Sequence, residues 1–319
     1  MTEQNNRPRG LHQISLVALF TIGNTLLRFP WATAEAGITI SFLLSIAAAL
    51  LFGIGVYFAA CRLFRVPFSR MKGWKIIACL LLFLPVCVFS FFLAVKSSRD
   101  LVSFFDQMLL PGQTALLFAA LYLAVAAWLS RIPRRGMDSF ALLLFLPAVG
   151  AAAVLFLLGI PQFQTGYGSF EIPSLPAIGH SIFPLFSEIA LPMLPLGVYL
   201  ALAKPKKEKK QAWRPLLFGI LSAGVVLLFC VLQTLLTFGA SYAASLEYPY
   251  SAAVGVVSLG AYAFRPELIS YLLDFFFFFF RVSVCFSCVK WIVGRFLPRL
   301  RNVVPPLAAL LVFVFLCLS

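Results

Sequence analysis

Nine apolar stretches, most of them long enough to cross a bilayer, constrain this chain more than any other feature. They lie at about residues 12–34, 38–60, 76–95, 112–130, 139–160, 179–202, 215–238, 268–290 and 303–318. A bilayer-spanning helix needs about 20 mainly apolar residues. Because lipid offers no partner to an open backbone, spans without the alternating pattern of a barrel strand must be helices. With 62% hydrophobic and 11% charged residues, the chain is predicted to be an all-α polytopic membrane protein with about nine transmembrane helices, and an ordinary soluble protein is excluded.

The distribution of basic residues predicts the orientation of these helices. The net charge is +14, and 19 of the 25 Lys and Arg residues fall in the amino-terminal tail and in every second segment between spans. Basic residues concentrate in cytoplasmic loops, so we expect a cytoplasmic tail over 1–11 and a single transmembrane domain over 12–319. Because cytoplasmic loops explain the excess of basic residues, the positive net charge does not indicate that the protein binds nucleic acid. The same alternation of inner and outer segments predicts that Lys96 and Arg99 lie in a segment on the outer side of the membrane.

Two segments allow alternative interpretations. The first span could be a cleaved signal peptide, because Ile14–Leu27 is a plausible apolar core and Ala32–Ala34 resembles a cleavage site. Its length and its polar residues favour a retained helix. The basic run Lys204–Lys210 fits a topology anchor, and such a loop can also attract anionic membrane lipid.

The sequence predicts no enzyme, metal or cofactor. Cys285 and Cys288 have CxxC spacing but lie within an apolar span, with no second pair and two histidines in the whole chain. His180 and Ser181 are adjacent and cannot face one another along a helix, so they make no catalytic pair with Glu188. The six phenylalanines over 275–280 surround their helix completely, and we expect lipid-facing and packing bulk there.

Ionisable residues within the spans predict a buried charge network of Arg28, Glu188, Asp274 and Arg281. Counted from the predicted cytoplasmic ends at ~1.5 Å per residue, Arg28, Glu188 and Arg281 lie about 24, 21 and 14 Å deep. Ionisable groups at such depth are expensive and by default indicate a functional site. Asp274 and Arg281 are about 10 Å apart along one helix, so Arg281 is expected to reach another helix. The alternative is an ionic staple between helices that binds no ligand.

Two spans carry residues that interrupt helices. The first contains Thr21–Thr25, with Gly23, followed by Pro30; the sixth contains Pro184, Pro192 and Pro195 around Phe186–Glu188. Proline removes a backbone donor and glycine weakens a helix. Interrupted first and sixth spans have the spacing of a five-plus-five repeat and are typical of a transporter-like binding site. Helix ends at such breaks suit a carboxylate, although proline kinks without a ligand are also common.

Three stretches resemble a known family. Phe20–Pro30 (FTIGNTLLRFP), closing with Ala34–Gly37 (AEAG), resembles the first-helix pattern of the B subunits of spore germination receptors, the GerAB family. Phe183–Glu188 (FPLFSE) is similar to the sixth-helix segment of that family. Tyr248-Pro249 and Phe280–Ser283 (FRVS) are similar to its later Tyr-Pro and its aromatic-rich eighth helix with a basic residue.

The resemblance implies the amino acid, polyamine and organocation transporter superfamily, with a LeuT-like inverted repeat over about 12–160 and 179–319 that lacks its tenth helix. It implies a small-molecule site between the first and sixth helices, formed by Ile22, Gly23, Asn24, Thr25, Pro184, Ser187 and Glu188. It also implies assembly with an A subunit and a lipoprotein C subunit in the inner spore membrane. Ser187 stands where the family usually has Gly. Arg281 stands where Lys is expected, and could act as a fixed cation in place of the sodium ion of some relatives.

Two functions are compatible with these features. The leading hypothesis is a germinant receptor subunit that binds a small nutrient, in particular an amino acid, and passes a conformational change to its partner subunits. The alternative is a proton-coupled secondary amino acid transporter, in which Glu188 or Asp274 changes its charge during alternating access.

Overall fold

The computed structural model describes residues 8–25, 38–63, 74–108, 115–164, 175–202, 213–257 and 265–318, and the regular secondary structure in these ranges is helical. The α-helices are α1 (Pro8–Ile22), α2 (Ile38–Leu63), α3 (Trp74–Met108), α4 (Ala115–Arg131), α5 (Arg134–Gly159), α6 (Leu175–Ile189), α7 (Met193–Leu202), α8 (Trp213–Phe238), α9 (Ala240–Ser245), α10 (Pro249–Gly255), α11 (Glu267–Phe296) and α12 (Val304–Leu318). Short 3-10 turns follow α1, α5 and α11.

Every predicted span contains one of these helices, and the sixth contains both α6 and α7. Within the described ranges, five helical segments are long and apolar enough to cross a membrane: Thr39–Arg62, Arg134–Gln162, Ile182–Leu202, Trp213–Phe238 and Glu267–Phe296. Three shorter apolar helices cover Gly10–Ile22, Ala115–Arg131 and Val304–Leu318. The all-α polytopic membrane fold is thereby confirmed. The short helices α9 and α10, between the seventh and eighth spans, were not predicted.

Helix α3 continues well beyond its predicted end at residue 95. It runs to Met108, so Lys96, Arg99 and Asp100 lie within the helix, and the predicted end at residue 95 was wrong. Charged side chains do not end a helix by themselves. The next proline and glycine in the sequence, Pro111 and Gly112, come later in the chain, and such residues are the usual signals for a helix end.

Helix α11 forms the centre of the described structure and contacts α1, α3, α4, α7 and α12. The expectation that its phenylalanine run faces lipid was wrong for residues 277–280, whose side chains are all at most 4% exposed. Because neighbours surround this helix, a side that would face lipid on a peripheral helix faces protein here. A helix that is apolar all round is typical of such a central position.

Glycine allows two pairs of helices to approach closely. A Cβ atom at Gly219 of α8 would lie 2.4 Å from Cβ of Val17 on α1, and one at Gly197 of α7 would lie 2.9 Å from Cγ1 of Val56 on α2. Membrane helices associate largely through van der Waals contact, which small residues at the interface increase. These contacts hold α1 and α7, the helices next to the two interruptions, against the rest of the bundle.

Candidate functional site

The first span is interrupted where its sequence predicts. The α-helix ends at Ile22 and continues as a 3-10 turn over Gly23–Thr25. The Thr21 hydroxyl donates to the Val17 carbonyl oxygen at 2.7 Å, and the Thr25 hydroxyl donates to the Thr21 carbonyl oxygen at 3.2 Å. Both threonine side chains are buried. Their hydroxyls therefore support the end of the helix.

The sixth span is interrupted one turn later than predicted. Helix α6 runs through Pro184 to Ile189, and a turn over 190–192 separates it from α7. The N–H of Leu191 donates to the Phe186 carbonyl oxygen at 3.1 Å, and Pro192 has no N–H to continue the helix. Pro195 lies in the first turn of α7, where a missing N–H costs little. Among the three prolines, Pro192 is therefore the one that interrupts the helix.

The two interruptions adjoin one another. The 3-10 turn after α1 contacts both α6 and α11, and α1 also contacts α7. The Thr21 hydroxyl lies 4.0 Å from the sulfur of Met193, the first residue of α7. Ser187 is near this junction, but its hydroxyl donates to the Pro184 carbonyl oxygen at 2.7 Å.

Arg281 of α11 packs directly against the first interruption. A Cβ atom on Gly23 would lie 2.7 Å from Cδ of Arg281 and 3.2 Å from its Nη1. The guanidinium carbon is 5.8 Å from the centre of the Phe20 ring. The side chain is 1% exposed, and its three guanidinium nitrogens have no hydrogen-bond partner among the described residues. A buried cation whose donors have no partner in the described part of the chain thus lies against the break in the first span.

Glu188, near the end of α6, forms a salt bridge with Lys96 of α3. The side chains are 13% and 37% exposed respectively. Glu188 and Asp100 both lie close enough to Arg281 to attract it electrostatically. Sequence reasoning missed Lys96 because the third span was ended too early. The absence of Gly and Pro from residue 86 to residue 110 was the signal for a longer helix.

Asp274 is a second buried ionisable group on α11. It is fully buried, and neither carboxylate oxygen has a hydrogen-bond partner within the ranges that the structure describes. Arg28 and the side chains of Asn24, His180 and Ser181 lie outside the described residues. The proposed network of four charged residues therefore stays a prediction.

The described part of the chain contains no group of three or more His, Cys, Asp or Glu residues that could hold a metal ion. Cys285 and Cys288 are both buried free thiols. Their CxxC spacing places them on successive turns of the central helix α11.

The fold and the junction together define a class of protein: a helical integral membrane protein with interrupted first and sixth spans that adjoin, as in permease-like proteins. A family model described as "Spore germination protein" matches residues 11–319. The chain therefore belongs to this spore germination permease family, and its function is related to germination. A comparison with curated proteins finds no match.

Proposed function

We propose that the protein is the membrane-embedded nutrient-binding subunit of a germinant receptor and that its ligand is a free amino acid. The observation that carries this proposal is Arg281. Burial of a cation in a membrane protein is costly unless an anion and hydrogen-bond acceptors compensate it. The guanidinium group matches a carboxylate geometrically through two parallel N–H donors.

The second interruption supplies a group of opposite charge. Glu188 lies on α6 close enough to interact with Arg281, and it holds a lysine ammonium group in the structure. In the proposed complex the ligand carboxylate pairs with Arg281, and its ammonium group replaces Lys96 as the partner of Glu188. This arrangement requires a zwitterion, which favours an amino acid over a sugar.

Signalling would use the interrupted sixth span, which moves relative to the central helix α11. A ligand shifts a conformational equilibrium only by binding the two states unequally. A ligand that joins Arg281 on α11 to Glu188 on α6 stabilises the state in which these helices are close together. The resemblance described above supports assembly with an A subunit and a lipoprotein C subunit in the inner spore membrane. The distribution of basic residues supports a cytoplasmic amino terminus.

Ligand-induced thermal stabilisation tests the proposal. The full chain is purified in detergent and its unfolding temperature is measured with each of the twenty amino acids and with common sugars. We expect at least one amino acid to raise the unfolding temperature, since a ligand at 100 times its Kd stabilises by about 2.7 kcal/mol. Arg281→Lys and Glu188→Gln should each remove most of this rise.

Arg135→Gln is the matched control, because Arg135 is exposed and lies in the first turn of α5, on neither α6 nor α11. It should keep the ligand effect of the unmodified protein. The proposal fails if sugars stabilise the protein and amino acids do not. It also fails if Arg281→Lys and Glu188→Gln keep the full ligand effect, or if spores that lack the protein germinate normally with every nutrient tested.

Asp274 favours a second candidate function, a proton-coupled amino acid permease. A buried carboxyl group without a hydrogen-bond partner among the described residues can change its proton occupancy without breaking an ion pair, and such residues carry protons in transporters. Reconstituted liposomes separate the two functions. Accumulation of an amino acid driven by a pH gradient, and abolished by Asp274→Asn, would establish the permease, whereas binding without accumulation would support the receptor.

A further inference from the structure

A groove of about 350 Å³ lies between α4 and α12, away from the junction described above. Four alanines are among its lining residues: Ala120, Ala124 and Ala127 of α4 and Ala309 of α12. From Ala120 to the groove's end at Arg131, helix α4 rises about 16 Å. The hydrocarbon core of a bilayer is about 30 Å thick, so this length corresponds to one leaflet.

The end of the groove at Arg131 is strongly basic. Lys290 of α11 donates to the carbonyl oxygens of Ser130 and Arg131 at 2.9 and 3.1 Å, and thereby caps α4. Arg131 and Arg301 both lie close enough to repel Lys290 electrostatically. The guanidinium carbon of Arg301 is 4.1 Å from the centre of the Trp291 ring.

The two segments that form the groove contain no compensating acid. The sequence has no Asp or Glu from residue 107 to residue 137, and none from residue 268 to residue 319 apart from Asp274. Asp274 lies about four turns of α11 from Lys290, or about 24 Å. No acid of these two segments therefore lies near Arg131, Lys290 and Arg301 in the sequence or along α11.

We propose that this groove binds an anionic phospholipid of the leaflet on the predicted cytoplasmic side. One acyl chain lies in the groove between α4 and α12, against its alanines, and the phosphate group pairs with Arg131. Basic pockets between membrane helices on the cytoplasmic side are typical sites for anionic headgroups. The proposal is independent of the ligand at the junction.

The dimensions of the groove favour a lipid chain over a partner helix. Small residues four positions apart, such as Ala120 and Ala124, also occur where helices associate. A transmembrane helix, however, is 10–12 Å wide with its side chains and crosses both leaflets. The groove extends over about one leaflet only, and Trp128 and Phe313 form part of its walls.

Native mass spectrometry of the full chain in detergent, with phosphatidylglycerol or phosphatidylcholine added at equal concentrations, tests the proposal. We expect the unmodified protein to retain phosphatidylglycerol about fivefold more strongly, which corresponds to about 1 kcal/mol per additional charge near the surface. Arg131→Gln should lower this preference about fivefold for the same reason. Ala124→Leu, which fills the groove, should reduce retention of both lipids.

Two controls make the test specific. Arg135→Gln removes an exposed charge in the first turn of α5, and Ala153→Leu adds the same bulk on an exposed position of α5. Both variants should bind lipid like the unmodified protein. Equal retention of the two lipids would overturn the proposal. Equal losses of phosphatidylglycerol preference in Arg131→Gln and Arg135→Gln would also overturn it. So would normal lipid retention by Ala124→Leu in a variant that no longer binds a partner subunit, because the groove would then hold a partner helix.

Discussion

Replacing Gly23 with alanine isolates the contact between the first interruption and Arg281. Gly23 does not have a positive φ, so its backbone conformation is open to alanine. The penalty must come from space: the new Cβ would lie 2.7 Å from Cδ of Arg281, which has to move. Cδ lies in the middle of a fully buried side chain, and movement there displaces the whole guanidinium group.

The expected magnitude follows from two opposing effects. Overpacking in a well-packed core costs about 1–3 kcal/mol. Gly→Ala at a compatible backbone position stabilises by about 0.4–1 kcal/mol through the unfolded state. In the unmodified background Gly23→Ala should therefore destabilise the protein. In an Arg281→Ala background the nearest remaining atom is Cβ of residue 281 at 3.4 Å, an ordinary contact, and Gly23→Ala should become neutral or stabilising.

A double-mutant cycle measures this change of sign. The four proteins are the unmodified chain, Gly23→Ala, Arg281→Ala and the double variant, and denaturant-induced unfolding in detergent micelles gives their relative stabilities. We expect a coupling free energy of about 1–3 kcal/mol, which is typical of residues in direct contact. Equal destabilisation by Gly23→Ala in both backgrounds would refute the reasoning, because the penalty would then not arise from Arg281.

Three further substitutions test the fold and the junction. Gly219→Ala should destabilise by about 1–3 kcal/mol in the same unfolding assay, because its Cβ would overlap Val17. Phe278→Ala should destabilise by about 3–5 kcal/mol, as expected for a buried phenylalanine. Pro192→Ala supplies the N–H that the sixth span lacks, so we expect ligand-induced stabilisation to fall at least by half while the free protein unfolds at the same temperature or higher.

Each substitution has a matched control within the chain. Gly150→Ala adds the same methyl group at a position where, among the described residues, no atom beyond the adjacent helix backbone and the neighbouring residues lies within 4 Å. It should be neutral or stabilising. Phe92→Ala truncates a side chain that is 61% exposed, and it should cost much less than Phe278→Ala. Pro147→Ala acts within the continuous helix α5 and should keep the full ligand response. Similar effects of substitution and control in any pair would contradict the packing described here.

Helix positions were predictable from the sequence because the bilayer imposes a length on apolar stretches. Helix neighbours were not predictable, because apolarity around a helix does not distinguish lipid from protein. The phenylalanine run over 277–280 shows this limit: its residues gave no preferred face, and burial followed from the central position of α11. The end of α3 was misplaced for a related reason, since Lys96 and Asp100 were interpreted as loop residues although they extend a helix into the bundle.

The candidate site shows the same division between local and long-range information. The break at Gly23 was predicted from local chemistry. The contact between Gly23 and Arg281 joins residues 258 positions apart, and no local pattern specifies it. The pairing of Glu188 with Lys96 was missed because the depth estimate considered only residues inside the assumed span boundaries.

The permanence of the charge on Arg281 bears on the choice between receptor and permease. A guanidinium group does not lose its proton in proteins, so Arg281 requires a compensating anion in every conformation. On the proposed function, the ligand carboxylate supplies that anion in the bound state, and Glu188 and Asp100 compensate it at longer range in the free state. Emptying the site costs electrostatic energy each time, which suits a receptor that holds its ligand better than a permease that must release it. A permease would need Asp274 or another group to offset that cost by changing its own charge, and measured proton uptake on ligand release distinguishes the two cases.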